Sequence, residues 1–432
     1  MDRLFKSTAF FLICSSIVFA QTEATYQWNI KEDAQKIILT KNDKPILIID
    51  SIQFNFVTQQ SLAVKYQSKD SIVLTLLYKN VPSFSKVNTN NDYTVDVIFQ
   101  SIDGGWHIAA SPAWARHITI FCKDLGEHYY GIRENLTPYN HKNPDLRGSV
   151  QIFEVIGEES RYFENYSSAW SAFFMTNLGY ASFMNTFAYG EYKFAINGKT
   201  EIYHQTGKLD WYIFTNTNSD NIMKAYYSVI GKPKYVPAWA CGPIFWRDED
   251  KNGKIDVLAD AEKFNELRIP LSAMFIDRPY SDGHHDWSKM NFNSKFSHPE
   301  EWITTLRNKY HLELMTWIGP AVFGDTFPGT FPGFYNYLDL SNPQSVNEFN
   351  ARLNSLQYNY GVKGHKMDRA DEFFPVSEPW YDKTPMCERR NKYIYLFSKV
   401  TDSILTARWG KDNFNFARAA MHGTQPYLGA VW

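Results

Sequence analysis

The sequence predicts a multidomain chain, an N-terminal antiparallel β-sandwich followed by a barrel of alternating strands and helices. Three observations carry this. Residues 21–220 are dominated by short runs of period-two apolar alternation separated by polar turn clusters, the pattern of strands that bury one face. Near Asn221 the period lengthens to that of a helix. From residue 236 onward, apolar strand-like runs alternate with helical segments, as in a parallel sheet linked by crossover helices. At 432 residues, with 44% apolar and 17% aromatic side chains, the chain is long enough to bury more than one core.

Residues 1–20 carry Arg3 and Lys6, then apolar runs Ala9 to Ile13 and Ile17 to Ala20, with Val18-Phe19-Ala20 before Gln21. This is the layout of a secretory signal with a small-residue cleavage site, so an exported protein, periplasmic or secreted, is expected. The alternative is an uncleaved anchor, although the apolar core is short for a membrane span and no later stretch approaches eighteen apolar residues. Cleavage would remove Cys14 and leave Cys122, Cys241 and Cys387, odd in number and far apart. No disulfide framework or zinc spacing is implied, and buried free thiols are expected for all three. A formal charge of −2 without long basic runs gives no reason to expect nucleic acid or an anionic membrane as a partner.

Within the first domain the strand-like runs are Lys36 to Thr40, Pro45 to Ile49, Ser71 to Tyr78, Tyr93 to Phe99 and His117 to Phe121. Lys41-Asn42-Asp43, Asn88 to Asp92 and Asp103-Gly104-Gly105 are the turns between them. Residues 221–235 read as a linker, a helix over Asn221 to Ile230 followed by Gly231-Lys232-Pro233. Residues 236–432 form the second domain. Its strands are expected at Ala240 to Trp246, Ser272 to Asp277, Leu312 to Ile318, Gly364 to Asp368 and Asn413 to Arg418. Its helices are expected at Leu258 to Leu267, Pro299 to Tyr310, Pro343 to Tyr358 and Cys387 to Ala407. A closed (β/α)8 TIM barrel takes eight strands and roughly 250 residues. With five strands and a last run, Tyr427 to Trp432, that is apolar to its end, the expectation is a barrel incomplete at its C-terminal side.

The chemistry concentrates at strand ends, which in such barrels share one face. Gly361 to Glu372, GVKGHKMDRADE, reads as a buried strand that stops on Asp368 and opens into a loop with Arg369, Asp371 and Glu372. An Asp there is placed either for chemistry or to cap the following helix. Asp277 ends the second strand, Trp317 lies near the end of the third and Arg418 ends the fifth. Asp248 to Asp256 matches the first nine positions of a calcium loop, but position twelve is Ala259 where a bidentate Glu belongs. A solvated acidic loop is the other reading.

These segments resemble glycoside hydrolase family 31. Gly361-Val-Lys-Gly-His-Lys-Met-Asp368 is similar to the family's nucleophile motif, Phe275-Ile-Asp277-Arg-Pro-Tyr-Ser-Asp-Gly283 to its Leu-Asp-Ile-Asp-Tyr-Met-Asp-Gly segment, and Thr316-Trp-Ile-Gly-Pro320 to its Trp-Ile-Asn-Pro. Phe416-Ala-Arg418-Ala-Ala420 with Gln425 to Trp432 resembles its Ala-Arg-Ser…Trp-(Gly/Thr/Ala)-Gly-Asp. Earlier, Gly131-Ile-Arg133-Glu134 stands where the family has Gly-(Leu/Ile)-Gly-Glu at the end of its sandwich. The resemblance implies that Asp368 is the catalytic nucleophile and that Asp277 and Arg418 bind substrate. It further implies that Trp317 floors the pocket, with a buried structural Trp as the other reading, that Lys366 helps keep Asp368 ionised, and that Asp371 takes the place of the motif's Glu. Three departures mark this chain. Pro279 replaces a second Asp, Gly319 replaces Asn, and Arg369 adds a fixed charge, read as a sign of an uncommon substrate or of an ion pair with Asp371 or Glu372. The family's general acid/base is expected after Trp432. The implied activity is that of an exo-acting retaining α-glycosidase on an oligosaccharide or glycoside, with no cofactor. An α-galactosidase, an α-xylosidase, a transglycosylase or a non-catalytic carbohydrate-binding relative are the alternatives.

Overall fold

A computed structural model describes residues 24–82, 90–134, 144–155, 167–247, 250–278, 280–283, 287–322, 326–331, 337–372 and 377–432. The signal-like segment 1–20, Asp248 and Pro279 lie outside the described residues.

The first domain is two antiparallel sheets face to face. One has eight strands, ordered across its face from Tyr26–Lys31 through Lys44–Phe54 and Ile118–Lys123 to Val150–Phe153. The second has eight strands of this domain, among them Ala169–Thr176, Leu209–Thr215, Asn90–Ile102 and Ser71–Pro82. The expected alternation is realised directly: Ile72, Leu74, Leu76 and Tyr78 point inward along Ser71–Pro82, each 2% exposed or less. Burying a side chain of that size contributes roughly 1.5–3 kcal/mol, so the inner faces are what hold the two sheets together. The strands run longer than the apolar runs suggest, because hairpin ladders such as Ser71↔Gln100 to Pro82↔Asn90 extend pairing into polar ends.

The segment read as a linker is not free. Helix Ser219–Ile230 lies on the sandwich, with the Tyr226 ring stacked on Phe173 at 4.2 Å and its hydroxyl 2.6 Å from Ser171 Oγ. Asn218 caps it by accepting from Asp220 N.

The second domain contains a parallel sheet of six strands in chain order: Ile244–Arg247, Ala273–Ile276, Glu313–Ile318, Val362–Met367, Phe414–Ala417 and Ala430–Val431. The sixth, absent from the five expected, pairs Ala430 with Phe416 and Val431 with Ala417. The first strand starts four residues later than expected. Pro237 leads into a 3-10 turn over Ala238–Cys241, and Pro243, with no N–H to give a ladder, precedes the strand. Helices Lys254–Glu266, Pro299–Tyr310, Pro343–Leu356 and Arg389–Trp409 connect the strands, two of them opening on the Pro that the sequence placed there. At Gly364 the backbone is too close to the next strand for a side chain, since a Cβ would sit 2.0 Å from Phe414 O. Of the three thiols, Cys122 is buried as expected, Cys387 is half-buried and Cys241 is exposed, because its short turn leaves it at the surface. No helix among the described residues is long and apolar enough to cross a membrane.

The domains are joined by more than the chain. Ala420–Met421, just past the fifth parallel strand, adds to the sandwich as a parallel strand, with Ala169 opposite Ala420 and Trp170 opposite Met421. Asn391 accepts from Val155 N at 3.0 Å and donates to Phe187 O at 2.9 Å. His422 is buried in this seam between Phe187, stacked at 5.0 Å, and Phe153, at 5.8 Å.

Candidate active site

Asp277, Trp317, Lys366, Asp368 and Arg418 converge at the C-terminal ends of the second to fifth parallel strands, and Asp371 joins them from the short turn Ala370–Glu372. Asp368 is the first residue past its strand, tied to the neighbouring one by its N–H on Ile318 O at 2.9 Å. Its carboxylate receives three donors. Trp317 Nε1 donates to Oδ2 at 3.0 Å, and Arg369 N donates to Oδ1 at 2.9 Å. Arg418 Nη1 lies 3.1 Å from Oδ1, and the Asp368 side chain stays 14% exposed, held and still reachable. A helix-capping role does not describe it, since the next element is only the single turn Ala370–Glu372 and Arg369 has φ 64°, in the left-handed region.

Arg418 is the hub of the site. Its Nε and Nη2 both donate to Asp371 Oδ1, at 3.0 and 2.9 Å, and Nη2 also reaches Glu372 Oε1 at 2.5 Å. Burial works against the charged guanidinium, but Asp371, Asp368 and Glu372 outweigh it and push its pKa above the ordinary arginine value. Burial pushes the Asp371 carboxyl up, with Arg418 and then Ser168 pulling against it. Glu372 is raised by burial as well, again opposed by Arg418. Arg369, the added charge, lies 3.6 Å from Glu372, so of the two partners considered from sequence it is Glu372 that it meets.

A second ion pair stands beside the first. Lys366 Nζ is 2.9 Å from Asp277 Oδ2, which also accepts from Trp246 Nε1 at 3.0 Å. This corrects the expected role of Lys366. On a strand, residues two apart share a face but their tips diverge, and the amine reaches past Glu313–Ile318 to the end of Ala273–Ile276, two strands away, while Arg418 supplies the cation at Asp368. The Lys366 amine sits over the rings of Trp246, Phe275 and Trp432 at 5.0, 5.6 and 5.2 Å. Burial raises the pKa of Asp277, and Lys366 opposes the rise.

Trp317 is 2% exposed, so it does not present its face as a floor; its ring packs edge-on against Trp287 at 5.4 Å and its N–H aims Asp368. Gly319 is explained by the same ring. A Cβ there would meet Trp317 Cη2 at 2.9 Å, so the Asn of the resembling motif has no room. Sequence reasoning missed Trp246 and Ser168. The first was findable as an aromatic near a strand end; the second lies in another domain, with no local signal. In the acidic loop, Asp256 is turned to Asn252, whose backbone N–H and side-chain amide both donate to it. Asp250 is buried toward Arg247, at 3.7 Å. The two carboxylates therefore serve helix Lys254–Glu266 and the first strand separately.

Arg418→Met should destabilise the fold by about 3–5 kcal/mol, because it strands the Asp371 charge in the interior. Denaturant unfolding checks this, and adding Asp371→Asn should restore most of the loss; a double variant no more stable than the single one would contradict it.

Residues 233–432 match the sequence profile of the glycosyl hydrolases family 31 TIM-barrel domain. An α-xylosidase of Emericella nidulans is 24% identical over 332 residues, which is 70% of this chain and 41% of that protein. An α-xylosidase of Saccharolobus solfataricus is 25% identical over 134 residues, 30% of this chain and 18% of that protein. The chain thus spans less than half the length of either relative. Among solved structures, a family 31 sulfoquinovosidase from E. rectale aligns with TM-score 0.71 at 15% identity, covering 94% of this chain and 68% of that one. A xylosidase from Aspergillus niger aligns with TM-score 0.62 at 15% identity over 88% of this chain and 66% of its own. The profile match, the relatives and the shared fold agree with the strand-end acids and support glycoside hydrolase family 31, with residues 233–432 as its TIM-barrel domain.

Proposed function

We propose that the protein is a retaining α-glycosidase that removes terminal α-linked sugars, with Asp368 as nucleophile. The observation that carries this is the Asp368 carboxylate itself: fixed by an indole N–H and a guanidinium, reachable, and at the strand ends where barrel chemistry is assembled. In the first step the carboxylate attacks the anomeric carbon as the glycosidic bond breaks, and a proton from a general acid goes to the leaving oxygen. In the second, water attacks the glycosyl ester, which returns the sugar with its configuration kept and frees Asp368. Asp371 and Glu372 are committed to Arg418 and Asp277 to Lys366, so the acid is assigned to a residue outside this cluster. The six parallel strands are read as part of a (β/α)8 barrel.

The test uses the complete gene product and a 5-fluoro-α-glycosyl fluoride, followed by peptide mass spectrometry. The label is expected on Asp368, and a label on another residue overturns the assignment. The sugar is found by screening aryl α-glycosides, with α-xylosides included because two relatives are α-xylosidases.

Asp277 is assigned to sugar hydroxyls, with Lys366 and Trp246 fixing its orientation. Asp277→Asn should lower kcat/KM by about 100-fold, the effect of about 3 kcal/mol of lost hydrogen bonding to a charged group, yet still form the glycosyl-enzyme from an activated fluoride. Complete loss of trapping in a folded variant would contradict this role.

A further inference from the structure

We propose that Ser168, a residue of the sandwich, is a positioning residue of the active site, acting on Asp368 through Asp371 and Arg418. This rests on the glycosidase reading above. Ser168 Oγ donates to Asp371 Oδ2 at 3.0 Å, leaving Asp371 Oδ1 to take both donors of Arg418, whose remaining Nη1 meets Asp368. Ser168 and Asp371 are 3% and 2% exposed, so water does not replace the hydroxyl if it is lost. The backbone fixes the contact from both sides. Ala420 N donates to Ser168 O at 2.9 Å, two residues beyond Arg418, and the ladder continues through Ala169 and Trp170. The Ala169 end of the strand Ala169–Thr176 therefore sets the height of the loop that carries Arg418 and, with one hydroxyl, Ser168 sets the orientation of the carboxylate that Arg418 grips.

The charged groups around Asp371 are Arg418, Glu372, Asp368 and Arg369 from its own domain, with Tyr337 donating to Glu372 O at 2.8 Å. On the sandwich side Glu134, whose N–H donates to Ala169 O at 3.1 Å, carries a carboxyl that burial pushes up. Asp371 is the buried member of this set, and Ser168 is the neutral donor that favours its ionised form. When Asp371 takes up a proton, Arg418 loses its main anchor and its register on Asp368.

The experiment compares wild type, Ser168→Ala, Ser168→Thr, Asp371→Asn and the double variant Ser168→Ala/Asp371→Asn as complete proteins on an activated aryl α-glycoside. Ser168→Ala should lower kcat about tenfold with KM within about twofold, and move the acid limb of kcat/KM up by about one pH unit, the scale of one hydrogen bond to a charged group. Ser168→Thr, which keeps the hydroxyl, should restore the wild-type limb. Between Asp371→Asn and the double variant the shift due to Ser168 should vanish, because the amide that replaces the Asp371 carboxyl does not titrate. A folded Ser168→Ala with the wild-type limb, or a shift that persists in the double variant, overturns the proposal while leaving Asp368 labelling intact. A wild type that is never labelled at Asp368 overturns the glycosidase reading and this inference with it.

Discussion

Asp368→Ala should lose about four orders of magnitude or more in kcat on natural glycosides while melting at nearly the wild-type temperature. The carboxylate makes the covalent bond, so its removal deletes the reaction path. Its structural share is smaller, since Arg418 keeps Asp371 and Glu372 and Trp317 keeps its packing on Trp287. The vacated space gives a sharper test. With an aryl α-glycoside carrying a good leaving group, added azide should attack the anomeric carbon from the emptied side and release the phenolate, so that activity returns as the β-glycosyl azide. An α-glycosyl azide, or an Asp368→Ala variant as fast as wild type, would remove Asp368 from the role of nucleophile.

Acid should unfold the protein at an unusually mild pH, and three histidines are the reason. His204, His365 and His422 are buried, and burial lowers their pKa values to about 4, about 3 and about 3. His365 is neutral by its bonding as well. Thr316 Oγ1 donates to Gln357 Oε1 and so accepts from His365 Nδ1, which leaves Nε2 to accept from Tyr358. His422 has no protein partner on either ring nitrogen among the described residues and lies between aromatic faces. Each ring is neutral in the fold but takes a proton at about pH 6.5 once unfolded. The stability they support is thus present above pH 6.5 and lost as pH falls toward 4. The slope for three such groups is about 4 kcal/mol per pH unit, against a typical total of 5–15 kcal/mol. Denaturant midpoints measured from pH 7.5 to 4.5 should show it, and His422→Met should flatten the slope by about a third. An unchanged slope in that variant would mean that His422 is not a neutral, proton-excluding group.

Much of this was legible in the chain because the features are local. Period-two runs such as Ser71 to Tyr78 became strands, Pro299 and Pro343 opened helices where they stand, and the run ending at Asp368 placed the acid at a strand end. The features that could not be read depend on contacts between distant segments. Ala430–Val431 is two residues long and becomes a strand only because Phe416 and Ala417 present an edge to pair with. The resemblance gives Lys366 to Asp368, whereas its partner, Asp277, is 89 positions away. For Trp317 the motif leaves a pocket floor and a buried structural ring both open, and its burial against Trp287 decides for the second. Ser168 and Asp371 are 203 positions apart, and neither residue carries a mark of the other.

The strand Ala420–Met421, inserted into the sandwich beside Ala169 and Trp170, fixes an order of events during synthesis. The sandwich leaves the ribosome first, so the Ala169 end of its strand is made before the fifth parallel strand exists. The segment that pairs with it, and with it the loop bearing Arg418, follows later in synthesis. A transplant of residues 236–432 onto an unrelated leader would have to supply partners for Ala420 and Met421 itself.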